Sequence, residues 1–262
     1  MVNLILFKNN LRVNDNPAIY FGSNNAKLIP VFIYDEFNTT KKIGSASKYW
    51  LYHALDSLNK SLNGNLLTYS GETISILESL FRDHSIANIF CEEPFLSDDL
   101  SLFAKIKNLS NSLNIGYNEF NCSLLFKPYD VSKEDKSPYK VFTPFYRKAS
   151  ENIAVDSPLG APKNLSFQNT KIKTKLEDLC LLDSFNWYEK FKYHWDISES
   201  GALSLLENFV NSSVCNYKKG RDYPSLKSNS RLSPYIRFGM ISVNRIWHEI
   251  NNLECNENTI HF

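Results

Sequence analysis

Two hydrophobic periodicities alternate along the first half of the chain, and no other feature restricts the fold as much. Short apolar runs at residues 4–7, 28–33, 66–69, 86–91 and 115–120 have the length and composition of buried strands. Between them, apolar residues step by three and four. Leu51, Leu55, Leu58 and Leu62 share one helix face. So do Ile74, Leu77 and Phe81 after Glu72, and Leu102, Ile106, Leu109 and Leu113 after Ser97 and Asp98. Strand and helix in alternation predict βαβ units, hence a parallel, Rossmann-like α/β sheet with helices on both faces. The pattern stops near residue 125, so residues 1–125 read as one domain.

Residues 126–196 read as a long connection. Lys127-Pro128, Ser137-Pro138, Thr143-Pro144, Ser157-Pro158 and Ala161-Pro162 are expected to interrupt any long element. Residues 197–262 turn helical. Ser198 can cap a helix whose face carries Leu203, Leu206 and Val210, and Gly220 marks a stop. A further helix is expected from Ser242, with Val243, Ile246, Trp247 and Ile250 facing inward. The fold class is therefore α/β, followed by a linker and a short run of helices.

With 262 residues, the chain is long enough for one large domain or one domain and part of a second. Net charge is +1, which excludes a generally basic coat but not a local basic patch. No apolar run reaches the ~20 residues of a membrane-spanning helix. The N-terminus lacks the basic start and small-residue cleavage site of a secretory signal. Cys91, Cys122, Cys180, Cys215 and Cys255 form no CxxC pair, and the five histidines form no HExxH, so no metal site is expected. Unpaired thiols fit a reducing cytoplasm. Neither GxGxxG nor GxxxxGK[ST] occurs, so the sheet carries no dinucleotide fingerprint and no P-loop. A ligand at the carboxyl ends of the strands remains open.

The segment from Tyr217 to Phe238 concentrates charge. Lys218, Lys219, Arg221, Lys227, Arg231 and Arg237 stand against Asp222, a local charge of +5. Tyr217, Tyr223, Tyr235 and Phe238 are interleaved. Cations among aromatic rings suit phosphate contact with stacking on a planar group. Asn229, Ser230 and Ser233 beside Arg231 add small donors of the kind that cradle phosphate; a solvated basic loop is the plainer reading of the same composition.

Three stretches carry a resemblance. VNLILFKNNLRVNDNPAI, SPYKVFTPFYRK and GRDYPSLKSNSRLSPYIRFGMIS resemble, in order, motifs of the DNA photolyase and cryptochrome family. That resemblance implies an α/β antenna domain followed by an all-α domain that holds FAD. It implies light-dependent repair of pyrimidine dimers in damaged DNA by electron transfer from reduced FAD. By position, Tyr217, Asn229, Ser230, Arg231, Leu232 and Ser233 would contact FAD, and Arg221 the DNA backbone. Asp98 and Asp99 fall near an Asn-Glu pair that holds a folate-type antenna in some members; the resemblance leaves open whether an antenna chromophore here is of folate or deazaflavin type. The expected state is a cytoplasmic monomer without metal.

The chain departs from the family pattern at Asn229, where Thr is usual, and at Lys8 and Asn10 in the opening motif. In the family the helical domain continues past the position of Phe262. It holds there the dimer-facing tryptophan and the tryptophans of photoreduction. Trp50, Trp187, Trp195 and Trp247 match none of these, so no catalytic residue falls within the chain. It thus reads as a fragment or truncated product, expected to bind FAD weakly or not at all alone and to expose apolar helix faces. Alternatives are a cryptochrome-type flavin photoreceptor, or a non-enzymatic α/β module that binds a chromophore or nucleotide.

Overall fold

A computed structural model describes residues 1–38, 40–170, 174–182 and 187–253. Cys255, His261 and Phe262 lie outside the described residues. Five strands form one sheet: β1 (Val2–Phe7), β2 (Lys27–Tyr34), β3 (Leu67–Ser70), β4 (Ile86–Glu92) and β5 (Gly116–Phe120). Their order is β3-β2-β1-β4-β5 and every pairing is parallel, as the alternating periodicities require. The chain builds outward from β1 to β3 and then returns to the other side of β1. A switch point therefore lies between β1 and β4.

Four helices connect the strands: α1 (Pro17–Gly22), α2 (Ser45–Ser61), α3 (Thr73–Asp83) and α4 (Ser97–Ser112). Asn16 caps α1 by accepting from the Ala18 N–H, with Pro17 in the first turn, where a missing N–H costs nothing. Glu72 caps α3 through the Ser75 N–H, and Asp98 and Asp99 sit in the first turn of α4, where the helix dipole favours negative charge. Leu102 and Ile106 are buried as expected. Leu113 is not: it lies just past the end of α4, 48% exposed.

Side chains alternate across each strand. Leu4, Leu6, Ile29 and Val31 point to one face and pack with Leu77, Leu80 and Phe81 of α3 and Leu102, Phe103 and Ile106 of α4. Ile5, Phe7, Leu28 and Phe32 point to the other, which meets α1, α2 and residues from far along the chain.

The connection is more structured than its prolines suggest. Helix α5 (Phe142–Asn152) runs through Pro144, which is tolerated because first-turn N–H groups have no helical acceptor. Residues 166–168 dock on the start of β2: Leu28 N–H donates to the Ser166 carbonyl at 2.8 Å, and Gln168 N–H to the Leu28 carbonyl at 2.9 Å. Helix α6 (Glu199–Asn208) starts at Ser198, which accepts from the Gly201 N–H. A π turn at Phe209–Ser213 and a 3₁₀ turn at Val214–Asn216 lead into α7 (Tyr217–Gly220), then α8 (Ser233–Arg237) and α9 (Val243–Asn251). In α9, Ile246 and Ile250 are buried, while Val243 and Trp247 are half-buried.

The expectation that these helices expose their apolar faces needs correction. Leu206, Phe209, Val214, Leu232 and Tyr235 are each at most 3% exposed, because α2 and the adjoining sheet face cover them.

A polar clasp fixes this arrangement. Arg12, 2% exposed, donates to the Asp15, Cys122 and Gly239 carbonyls at 2.8–3.1 Å. Glu199 accepts from the N–H groups of Val13 and Asn14 and from the Asn14 side chain. Gly239 has φ +64°, and a Cβ there would lie 1.8 Å from the Asn9 carbonyl oxygen, so only glycine allows the approach. The opening motif thus joins the sheet domain to the helical segment.

Candidate flavin turn and switch-point cavity

Two places bring together the site residues expected from sequence. The first is the turn between α7 and α8. Gly220 ends α7 where a Cβ would strike the Ser228 hydroxyl at 2.0 Å, so the loop folds back closely on itself. Tyr217 is half-buried, edge-to-face with Phe209 at 5.8 Å, and the Arg221 guanidinium lies 5.8 Å from its ring centroid. Arg221 is exposed and 3.8 Å from Asp222. Lys218, Lys219 and Lys227 are exposed around it.

Within the turn, Leu232 buries its side chain in the core and offers only its backbone. Asn229, Arg231 and Ser233 are exposed and Ser230 half-exposed. Arg231 has φ +57°, the left-handed region, and Leu232 follows in the right-handed one. Such a pair turns consecutive N–H groups toward one side, the geometry of an anion-binding nest. The N–H groups of Ser230, Arg231 and Ser233 have no acceptor among the described residues. Ser230 and Ser233 add hydroxyls, and the turn contains no carboxylate.

Sequence spacing does not reveal what holds this turn. The Arg231 guanidinium lies 3.9 Å from the centroid of the Trp195 ring, and its Nη2 donates to the His194 carbonyl at 3.3 Å. Trp195 in turn meets Trp50 edge-on at 5.2 Å. Tyr235 touches both rings and donates its hydroxyl to the Asp196 carbonyl at 2.6 Å. Burial pushes the Tyr235 phenol up to about 12.

The second place is the carboxyl edge of the sheet at the switch point. A cavity of 480 Å³ opens there, within the usual range for small-molecule sites. Its walls include Lys8, Tyr34, Asp35, Asp98, Asp99 and Phe238, so β1, β2, α4 and the helical segment all contribute. Asp98 and Asp99 do meet here, but both are engaged. Asp98 accepts from the Thr40 N–H and hydroxyl, each at 2.8 Å, which holds its carboxyl below the usual range. Asp99 is 2.7 Å from the Lys8 ammonium. Glu92, 4% exposed at the end of β4, accepts from the Asn9 N–H and side chain. Burial raises its pKa. Lys8 is an additional member of this site, and Glu92 holds the wall residue Asn9; both roles depend on pairings between strands far apart in sequence. The 229–233 turn connects to the cavity through α8: Arg237, at its end, donates to Asn9 at 3.3 Å.

No group of three or more His, Cys, Asp or Glu side chains with metal-binding geometry occurs among the described residues, and no helix among them is long and apolar enough to cross a membrane.

The family model described as DNA photolyase matches residues 3–163. A deoxyribodipyrimidine photo-lyase of Agrobacterium fabrum is 28% identical over 256 residues, covering 95% of this chain and 53% of its own length. Cryptochrome-1 of Arabidopsis thaliana is 27% identical over 255 residues, covering 94% and 37%. A bacterial class III photolyase from Agrobacterium tumefaciens superposes with a TM-score of 0.92 at 27% identity, covering 98% of this chain and 55% of that one. The chain thus spans about half or less of the length of these relatives. The five strands of the sheet, Val2 aside, fall within the matched region, and the chain belongs to the DNA photolyase family.

Proposed function

We propose that this chain supplies the antenna domain and the first part of the flavin site of a light-dependent DNA-repair enzyme. The observation that carries the reading is the turn at 229–233. The N–H groups of Ser230, Arg231 and Ser233, which have no acceptor among the described residues, and the Ser230 and Ser233 hydroxyls lie beside an exposed cationic loop, and that donor set fits a pyrophosphate. Backbone N–H groups of Ser230, Arg231 and Ser233, with the side chains of Asn229, Ser230 and Ser233, would hold the FAD phosphates. Leu232 would anchor the turn in the core, and Tyr217 would border the cofactor. When bound, reduced FAD supplies the light-driven electron that splits a pyrimidine dimer. Arg221 would contact a DNA phosphate, which positions the strand without reading its sequence.

The switch-point cavity is proposed to take the antenna chromophore, of folate or deazaflavin type. Asp98 and Asp99 would then shape its wall through Thr40 and Lys8 rather than offer free acceptors.

The likeness to Cryptochrome-1 supports a second reading, a flavin photoreceptor that does not repair DNA. One experiment separates the two. Purified protein is titrated with FAD, photoreduced, and illuminated with an oligonucleotide carrying one cyclobutane dimer. Dimer loss measured by chromatography supports repair, and flavin photoreduction without dimer loss supports the photoreceptor. Arg221→Ala should weaken DNA binding and flatten its salt dependence while leaving flavin affinity intact. Loss of flavin instead would overturn the assignment of Arg221.

A further inference from the structure

We propose that Arg231 is a positioning residue. Its guanidinium lies on the Trp195 indole and holds the 229–233 turn in the shape that presents its N–H groups, rather than touching the phosphates itself. This rests on the reading of that turn as the FAD cradle.

Three observations lead here. First, the guanidinium is already occupied. At 3.9 Å from the Trp195 centroid it is in cation–π contact, and the hydrogen bond to the His194 carbonyl fixes its rotation. Second, the Arg231 backbone is left-handed, a conformation disfavoured for any residue with a Cβ. Such a conformation persists only where its surroundings impose it. Here the imposing contacts are two: Leu232 buried in the core on one side, and the stack on Trp195 on the other. Third, the platform is rigid. Trp195 is braced by Trp50 and Tyr235, both at most 5% exposed, and the Tyr235 hydroxyl ties the neighbouring Asp196 carbonyl. The turn is thus built on a three-ring support from α2, the connection before α6, and α8.

The chemistry requires arginine. A lysine ammonium is a point charge on a flexible stem and cannot lie flat on the indole while donating to the His194 carbonyl. Glycine at 231 would lose the stack but take the left-handed conformation freely. Phenylalanine at 195 would keep an aromatic face under the cation.

The test measures FAD and inorganic pyrophosphate dissociation constants for the 262-residue protein and five variants. Arg231→Ala, Arg231→Lys and Trp195→Leu are each expected to weaken both ligands about tenfold, within the usual range for a cation–π contact. Arg231→Gly and Trp195→Phe are expected to stay within about threefold of the parent. If Arg231→Gly is as weak as Arg231→Ala, the guanidinium touches the ligand and the proposal falls. It also falls if Trp195→Leu binds like the parent.

A second readout needs no ligand: the rate of tryptic cleavage after Lys227. It should rise in Arg231→Ala and Trp195→Leu and hold steady in Trp195→Phe. Equal rates in all would refute the positioning role. A parent protein that binds neither FAD nor pyrophosphate, yet shows the cleavage pattern, would refute the flavin cradle and leave the positioning of the turn intact.

Discussion

The two faces of the sheet are built from the same five strands, yet they are closed differently. Leu4, Leu6, Ile29 and Val31 meet α3 and α4, so this face is finished within residues 1–120. Ile5, Phe7, Leu28 and Phe32 meet α1 and α2, and the same core continues into Leu206, Phe209, Leu232, Tyr235 and Ile250. One face is therefore a stability element of the α/β unit alone. The other transmits the position of the sheet to the turn proposed to hold FAD. Damage to the first should lower stability without moving the turn, and damage to the second should do both.

The strongest test of that difference is Phe103→Ala, on the self-contained face. Phe103 is 1% exposed, and its truncation is expected to cost about 4 kcal/mol, read from urea unfolding. Tryptic cleavage after Lys227 under native conditions should stay at the parental rate. A raised rate would mean that the two faces are not separable. Gly239→Ala acts on the shared side. The new Cβ would press on the Asn9 carbonyl in a left-handed backbone, so a loss of about 3 kcal/mol is expected. Hydrogen exchange should show α8 and α9 opening more than α3 and α4. A uniform increase would contradict the clasp.

A smaller effect is expected from Glu199→Gln. The carboxylate accepts three hydrogen bonds from residues 13 and 14, and the amide keeps one accepting oxygen. The expected cost is about 1–2 kcal/mol in thermal or urea unfolding, with exchange rising first at residues 13–14.

The smallest effect concerns pH. Burial raises the Glu92 pKa in the folded state above its ordinary value. The folded protein therefore binds this proton more readily than the unfolded chain. As pH falls from neutrality through the folded pKa toward the ordinary value, Glu92 should add stability, and as pH rises it should remove it. Asp35 and Glu72, whose pKa values are lowered, act in the opposite sense. The readout is thus the difference between parent and Glu92→Gln in urea midpoints at pH 7 and pH 5. That difference should shift in the parent's favour at the lower pH; no change would show that Glu92 titrates normally.

Much of the sheet was legible from sequence because buried parallel strands and amphipathic helices impose their periods locally. All five apolar runs became strands, and the spacing of Leu51, Leu55, Leu58 and Leu62 became the buried stripe of α2 and its end. The misses have physical causes. Helix α1 is six residues long, less than two turns, and shows no measurable period. Helix α5 was hidden because Pro144 reads as a breaker, though it stands in the first turn. Leu113 fits the stripe of α4 but falls beyond its last residue. At the sites, sequence supplied the turn at 229–233 and the pair Asp98 and Asp99. It did not supply Trp195 under Arg231, nor Lys8 on Asp99, since those pairs are separated by 36 and 91 residues in the chain.

The sequence by itself determined the parallel sheet, the helix cap at Ser198, and the cationic loop. Each depends on residues within one element or one turn. Only the tertiary structure decided which charges are spent and which donors are left. It placed Arg12 on three carbonyls, Asp98 on Thr40 and Arg231 on Trp195. It left the N–H groups of 230, 231 and 233 without an acceptor among the described residues. Pairings of this kind form across long loops, where chain closure and desolvation of both partners set the outcome, and neither can be read from local spacing.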